Sequence, residues 1–141
     1  MPQLNAYLSF DGTCAEAMKF YARVLGAELE ALMTYGEVPQ DPKQPTPPEH
    51  AHRIMHASIR HRDFVLMAGD APPGMPFEGM KGMMLTLTYD TVADAERVFA
   101  TFADGGQVQM PMSDTFWVER FGMVTDRYGT AWAINGGKSK M

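Results

Sequence analysis

His56, Ser58 and Arg60 alternate with Ala57 and Ile59 in the segment Arg53-Ile54-Met55-His56-Ala57-Ser58-Ile59-Arg60. Successive side chains of a strand point to opposite faces, so this spacing sends the apolar pair one way and an imidazole, a hydroxyl and a guanidinium the other. An imidazole titrates at about pH 6.5, which suits His56 to general acid or base work on a bound molecule. A structural histidine bonded to a neighbouring strand fits the same position. Asp114 is a carboxylate that orients such an imidazole if the fold brings the two together, or caps a turn with Thr115. The cluster Glu49-His50-Ala51-His52 carries zinc-type donors, but no third and fourth ligands or supporting partners accompany it.

Other candidates are binding groups. Phe116 and Trp117 open a strand-like segment, so one of them stacks on a planar ligand or packs in a core or interface. Arg120 offers a planar fork to a carboxylate or phosphonate, or pairs with Glu119 or Asp126. Trp132 and Tyr21 read as core. The single cysteine, Cys14, forms no internal disulfide and no CxxC zinc pair; it reads as a half-buried residue in a first helical turn.

Composition narrows the partner. A chain of 141 residues with 45% hydrophobic and 21% charged residues is an ordinary globular size and mixture, without an apolar run long enough to span a bilayer. No basic n-region and apolar core open it, which places it in the cytoplasm. A net charge of -5 argues against nucleic acid, whose phosphates demand clustered Lys and Arg. The expected partner is a small molecule, with no nucleic acid and no membrane. Thirteen methionines supply adaptable thioethers for a core or a tolerant binding surface.

The elements that must position these groups occur twice. Leu4 to Phe10 alternates as a strand, and Thr13-Cys14-Ala15-Glu16 has capping-box spacing ahead of Met18, Tyr21, Val24 and Leu25 at helical spacing. Gly26 ends that helix, and strand-like segments follow at 28–35, 54–60 and 64–69. Met84 to Tyr89, then Thr91-Val92-Ala93-Asp94 with Val98, Phe99 and Phe102, and segments at 107–112, 117–125 and 130–135 repeat the plan. Asp126 and Gly129 bracket a tight turn between the last two. Two βαβββ modules are therefore expected, 1–70 and 82–135, within a single domain spanning 1–141. A proline-rich excursion loop at 36–52 interrupts the first, and a linker at 71–81 joins them.

A tandem βαβββ chain of this length resembles the vicinal oxygen chelate superfamily of glyoxalases, bleomycin-resistance proteins and extradiol dioxygenases, and within it the PhnB-like group. The resemblance rests on Tyr7-Leu8-Ser9-Phe10-Asp11-Gly12, Phe20-Tyr21 with Leu25-Gly26-Ala27, Met33-Thr34-Tyr35-Gly36-Glu37, His56-Ala57, Leu66-Met67, and Gly105-Gly106 with Met110-Pro111. Asp114 to Trp117 and Phe121 to Asp126 complete it. It implies an α+β fold in which each module forms a cupped, curled mixed β-sheet with its helix outside. It also implies a divalent metal held by His, Gln or Glu on the first and last strands of each module. Those positions fall at Asn5, Met67, Met84 and Ala133, none of them a His or a carboxylate, so no metal and no cofactor is expected in that set.

By strand parity Asn5, Tyr7, Ser58, Met67, Met84, Thr86 and Thr88 join His56 on the cupped side, a mostly apolar surface with a few polar groups. The expected function is binding of a small organic molecule there, with metal-independent acid–base catalysis by His56 and Asp114, as in a lyase or isomerase without the usual metal ligands. Asn5, Tyr7, Ser58, Met67, Met84, Thr86, Trp117 and Arg120 would contact the ligand. A non-catalytic sequestering protein is the rival reading. A metal-dependent lyase, isomerase or dioxygenase with atypical ligands (His56, Asp114, Glu119) is the third. The superfamily also implies a homodimer.

Overall fold

In the computed structural model, which describes residues 2–141, the opening alternation becomes strand β1 (Ala6–Phe10), with Leu8 and Phe10 buried and Tyr7 and Ser9 exposed. Helix α1 (Cys14–Leu25) follows, burying Cys14, Ala17, Met18 and Tyr21 at helical spacing. It ends at Gly26, whose φ of 67° is the left-handed cap that glycine adopts without a Cβ clash. Strands β2 (Glu28–Thr34), β3 (Ile54–His61) and β4 (Phe64–Asp70) complete a four-stranded sheet in the order β1-β4-β3-β2. β1 and β4 run parallel and the other neighbours antiparallel.

The second half builds the same plan from β5 (Leu85–Tyr89), α2 (Val92–Ala103), β6 (Gln107–Ser113), β7 (Val118–Thr125) and β8 (Ala131–Ser139), in the order β5-β8-β7-β6. Ala95, Val98, Phe99 and Phe102 form the buried stripe of α2, and Phe102 stacks on Trp132 of β8 with ring centroids 4.6 Å apart. The described residues thus form two mixed, unclosed sheets, each with a helix on one face. They divide into two compact units, Met1–Gly79 and Met80–Met141. Among the described residues no helix is long and apolar enough to cross a membrane.

Three local expectations need correction. Thr13 makes no side-chain cap on α1; instead Asp70 Oδ1 accepts from the Gly12 and Cys14 amides at 2.7 and 3.1 Å. That tertiary carboxylate holds two amides at the start of α1, on either side of Thr13 and other than the Thr13 and Glu16 amides a capping box would satisfy. Cys14 is fully buried rather than half-buried, because it starts the apolar stripe of α1. Finally, β8 runs past Asn135 to Ser139 through Gly136-Gly137. A glycine pair reads as a breaker, yet a Cβ on Gly136 would lie 2.4 Å from that of Ala95, so this glycine lets helix and strand approach closely.

The excursion between β2 and β3 is tied at its base. Tyr35 Oη donates to the Asp70 carbonyl at 3.0 Å. Arg53 pairs with Asp11 at 2.9 Å and donates to the Ala71 carbonyl at 3.3 Å. Within the loop, Gln40 Nε2 donates to the Tyr35 and Val38 carbonyls, and its Oε1 accepts from the Thr46 amide.

Candidate functional site

The register sorts the first unit's side chains by face. Ala57 pairs with Ala68 and Ile59 with Leu66, all buried beneath α1. His56, Ser58 and Arg60 therefore share the other face with Val65, Met67 and Gly69 of β4 and Tyr7 and Ser9 of β1. Tyr7 and His56 are stacked, with ring centroids 6.0 Å apart and planes 29° apart. The Tyr7 hydroxyl donates to the Met55 carbonyl at 3.1 Å, and burial pushes its pKa above the ordinary value.

Gly69 makes that geometry possible. A Cβ there would lie 2.7 Å from Tyr7 Oη and 2.8 Å from the Met55 carbonyl oxygen, so the phenol crosses β4 only because this position lacks a side chain. The result is a half-buried imidazole beside a fixed tyrosine, with a thioether from Met67 and the Ser58 hydroxyl on the same face. Arg60, further along, is engaged by Glu30. Asn5 precedes β1 and is exposed.

The same sorting in the second unit puts Thr86 and Thr88 on the helix-free face with Ala133, Asn135, Phe121 and Met123. Met84 is exposed just before β5. Trp117 packs edge-to-face on Phe121 at 5.2 Å and on Phe116 at 5.0 Å, and Phe116 is 78% exposed. Thr115 fixes this corner: its hydroxyl donates to the Val118 carbonyl and accepts from the Val118 amide. Lys140 Nζ donates to the Thr115 carbonyl at 2.8 Å.

Arg120 and Asp114 belong to the opposite face. Arg120 pairs in register with Gly136, which lies against α2, and its guanidinium is 3.6 Å from both Glu96 and Asp114. Neither Glu119 nor Asp126, the alternatives weighed from sequence, is its partner in these two ion pairs. Asp114 and Arg120, together with Val92, Glu119 and Lys140, line a cavity of about 430 Å³. Asp114 and His56 lie in different units.

The superfamily's metal positions hold an amide, two thioethers and a methyl group, at Asn5, Met67, Met84 and Ala133. Hard divalent ions take carboxylate, imidazole or water donors, so this set does not fit them. Among the described residues no three His, Cys, Asp or Glu side chains come together elsewhere.

Sequence reasoning passed over two side chains that shape the site. Asp70 is 4% exposed, and besides the two amides at the start of α1 its Oδ2 accepts from the Ile54 amide at 2.8 Å. It holds the beginning of β3 against the end of β4, two residues from His56. Met33 pairs with His56 across β2 and β3. The partners of Asp70 lie 58, 56 and 16 residues away, so no local signal pointed to it; the alternation of β2 could have flagged Met33.

Residues 3–134 match the family model described as the glyoxalase/bleomycin resistance protein/dioxygenase superfamily. Protein YjdN of Escherichia coli is 37% identical across 94% of this chain and 93% of its own length. Among solved structures, protein PA1353 from Pseudomonas aeruginosa is 43% identical with a TM-score of 0.89, covering 97% of this chain and 98% of that one. A PhnB protein from Bacillus cereus shares the fold at 24% identity and a TM-score of 0.78, covering 96% of this chain and 100% of its own.

Proposed function

The chain belongs to the glyoxalase/bleomycin resistance protein/dioxygenase superfamily, and from that premise we propose that it binds a small organic molecule on the helix-free face of the first unit, where His56 handles a proton. The observation that carries this reading is the Tyr7–His56 pair: a half-buried imidazole stacked on a tyrosine whose hydroxyl is anchored at Met55. An anchored aromatic wall restricts the imidazole, and thioethers beside it supply an apolar, adaptable floor. Asp114 enters only as a carboxylate expected to orient His56, and its ion pair with Arg120 is competing work for it. No step is routed through a divalent metal, because the donor set at Asn5, Met67, Met84 and Ala133 does not fit a hard ion.

Catalysis needs a bound carbon acid or leaving group within reach of the imidazole nitrogen, with His56 taking or giving the proton as the charge shifts. The rival reading, sequestration without turnover, draws on the second unit, where Phe116, Trp117 and Phe121 offer ring surface and no titratable group. The homodimer and the cytoplasmic setting belong to the same proposal. Each sheet ends in outer strands paired on one side, β1 and β2 in one and β5 and β6 in the other, and such edges are commonly covered by a second chain.

The test is a thermal-shift and calorimetric screen of small metabolites, followed by His56→Ala on whatever binds. Turnover reduced by roughly a hundredfold with affinity held within a few fold supports acid–base catalysis. A wild-type protein that binds without turning over, and binds equally well as His56→Ala, sinks the catalytic reading in favour of sequestration.

A further inference from the structure

Met33 and His56 stand opposite one another in the β2–β3 register. Met67 stands opposite Ser58, the next residue of β3 on the same face. Side chains directly paired across strands have Cβ atoms about 4.5–5.5 Å apart and diagonal ones about 7–8 Å, both within reach of a methionine with its three rotatable bonds. On the other side of His56 the β4 neighbour is Gly69, and the Tyr7 ring fills that place. The imidazole is thus flanked by a thioether and an aromatic wall, with a second thioether on the diagonal. Solvent reaches the group: Met33 is 38% exposed, and His56 and Met67 are half-buried.

We propose that Met33, His56 and Met67 form a binding site for a soft monovalent cation, Cu(I). Thioether sulfur is a polarizable, uncharged donor that favours Cu(I) over the hard divalent ions, and imidazole serves it as a borderline nitrogen donor. A monovalent ion also needs no carboxylate to balance it at the site. Glu30, the carboxylate nearest in sequence to Met33, is engaged by Arg60. The second unit supplies an internal contrast, because Ser113, Phe121 and Ala133 stand where the first unit has Met33, His56 and Met67, so none of the three donors is repeated there. Met110 and Met123, paired across β6 and β7 without an imidazole, serve as the control.

This inference goes beyond the organic-ligand reading and is tested separately from it. The purified full-length protein is titrated anaerobically into the coloured Cu(I)–bicinchoninate complex, with Ag(I) and native mass spectrometry as a redox-inert check. The site predicts withdrawal of one equivalent of Cu(I) and one bound Ag(I). Losing only a supporting partner of a ligand weakens metal affinity by about 10- to 100-fold, so Met33→Leu and Met67→Leu should each cost at least that much, and His56→Ala as much or more. Met110→Leu should leave the affinity unchanged, and circular dichroism checks that every variant is folded. Copper remaining with the chelator overturns the site, as do Met33→Leu and Met67→Leu variants that bind like the parent, or Met110→Leu weakening binding equally. The metal titration is read with no organic ligand present, so turnover of an organic ligand by His56 stands or falls independently of this result.

Discussion

Where the first unit carries His56 the second carries Phe121, and Tyr7 and Met67 of the first correspond to Thr86 and Ala133 of the second. The correspondence comes from register, not from sequence spacing. Tyr7 pairs with Met67 as Thr86 pairs with Ala133, although the first members are 79 residues apart and the second 66. The difference is the long β2–β3 excursion, which the second unit replaces with residues 114–117. Strand pairing thus gives two equivalent faces, of which only the first carries an imidazole. Phe121, Met123 and the Thr86 and Thr88 hydroxyls occupy the other.

Each unit also buries one aspartate, at positions that do not correspond. Asp70 ends β4, where the second unit has Gly136 packed against Ala95. Asp126 opens the β7–β8 turn: Oδ1 accepts from the Tyr128 and Thr130 amides and Oδ2 from Trp132 Nε1. Each carboxylate satisfies at least three N–H donors. An orphaned buried donor costs about 1–3 kcal/mol, so Asp70→Ala and Asp126→Ala should each lose on the order of 3–5 kcal/mol in urea unfolding. The pair separates by spectroscopy: native fluorescence from Trp132 should change in Asp126→Ala and persist in Asp70→Ala. A loss below about 1 kcal/mol in either would mean that water replaces the carboxylate there, and the equivalence of the two tethers would fail.

The next contrast lies at the two helix starts. Cys14, buried at the head of α1, has its thiol pKa pushed up to about 12, first by burial and then by the Asp70 carboxylate. Val92 holds the corresponding place in α2, where nothing titrates. In the unfolded chain the thiol ionises at about pH 8.5, so the folded state retains the proton while the unfolded state releases it. Its contribution to stability is present in full below that pH and fades as pH rises toward 12. At pH 8 a thiol reagent should modify Cys14 rapidly in denaturant and slowly in the native protein. Equal rates would show that the start of α1 opens freely.

The sequence carried what local chemistry can carry. Alternation exposed the faces of β3 and β5, helical spacing exposed α1 and α2, and Asp126 with Gly129 marked the turn, confirmed by the Gly129 amide donating to the Asp126 carbonyl at 3.0 Å. The contacts that crossed the chain were illegible. Tyr7 lying over Gly69, Asp70 reaching back to Gly12 and Cys14, and Arg120 meeting Glu96 each depend on which strands become neighbours, and no spacing along the chain encodes that. The extension of β8 past the expected 130–135 segment was illegible for the same reason, since the close packing of Gly136 under Ala95 shows only once the helix above is known.

The smallest expected difference is between the two threonines that precede the helices. Thr91 Oγ1 accepts from the Asp94 amide at 3.1 Å, a side-chain cap that satisfies an otherwise orphaned donor. Thr13 occupies the same position before α1 with no such bond: its ψ of 8° lies outside the extended region that Thr91 holds at 146°, and Asp70 Oδ1 takes the amides on either side of it. Replacing Thr91 by Ala should therefore cost about 1 kcal/mol, whereas Thr13→Ala should stay within about 0.5 kcal/mol of the parent. The double variant Thr13→Ala with Asp70→Asn sharpens the point. If the distant carboxylate has taken over the cap, the threonine hydroxyl becomes the nearest acceptor once Asp70 loses its charge. Thr13→Ala should then cost more in the Asp70→Asn background than in the parent. Strict additivity of the two changes would show that the first helix is started by its buried stripe alone, and that the two units differ in how their helices begin as well as in what their sheets display.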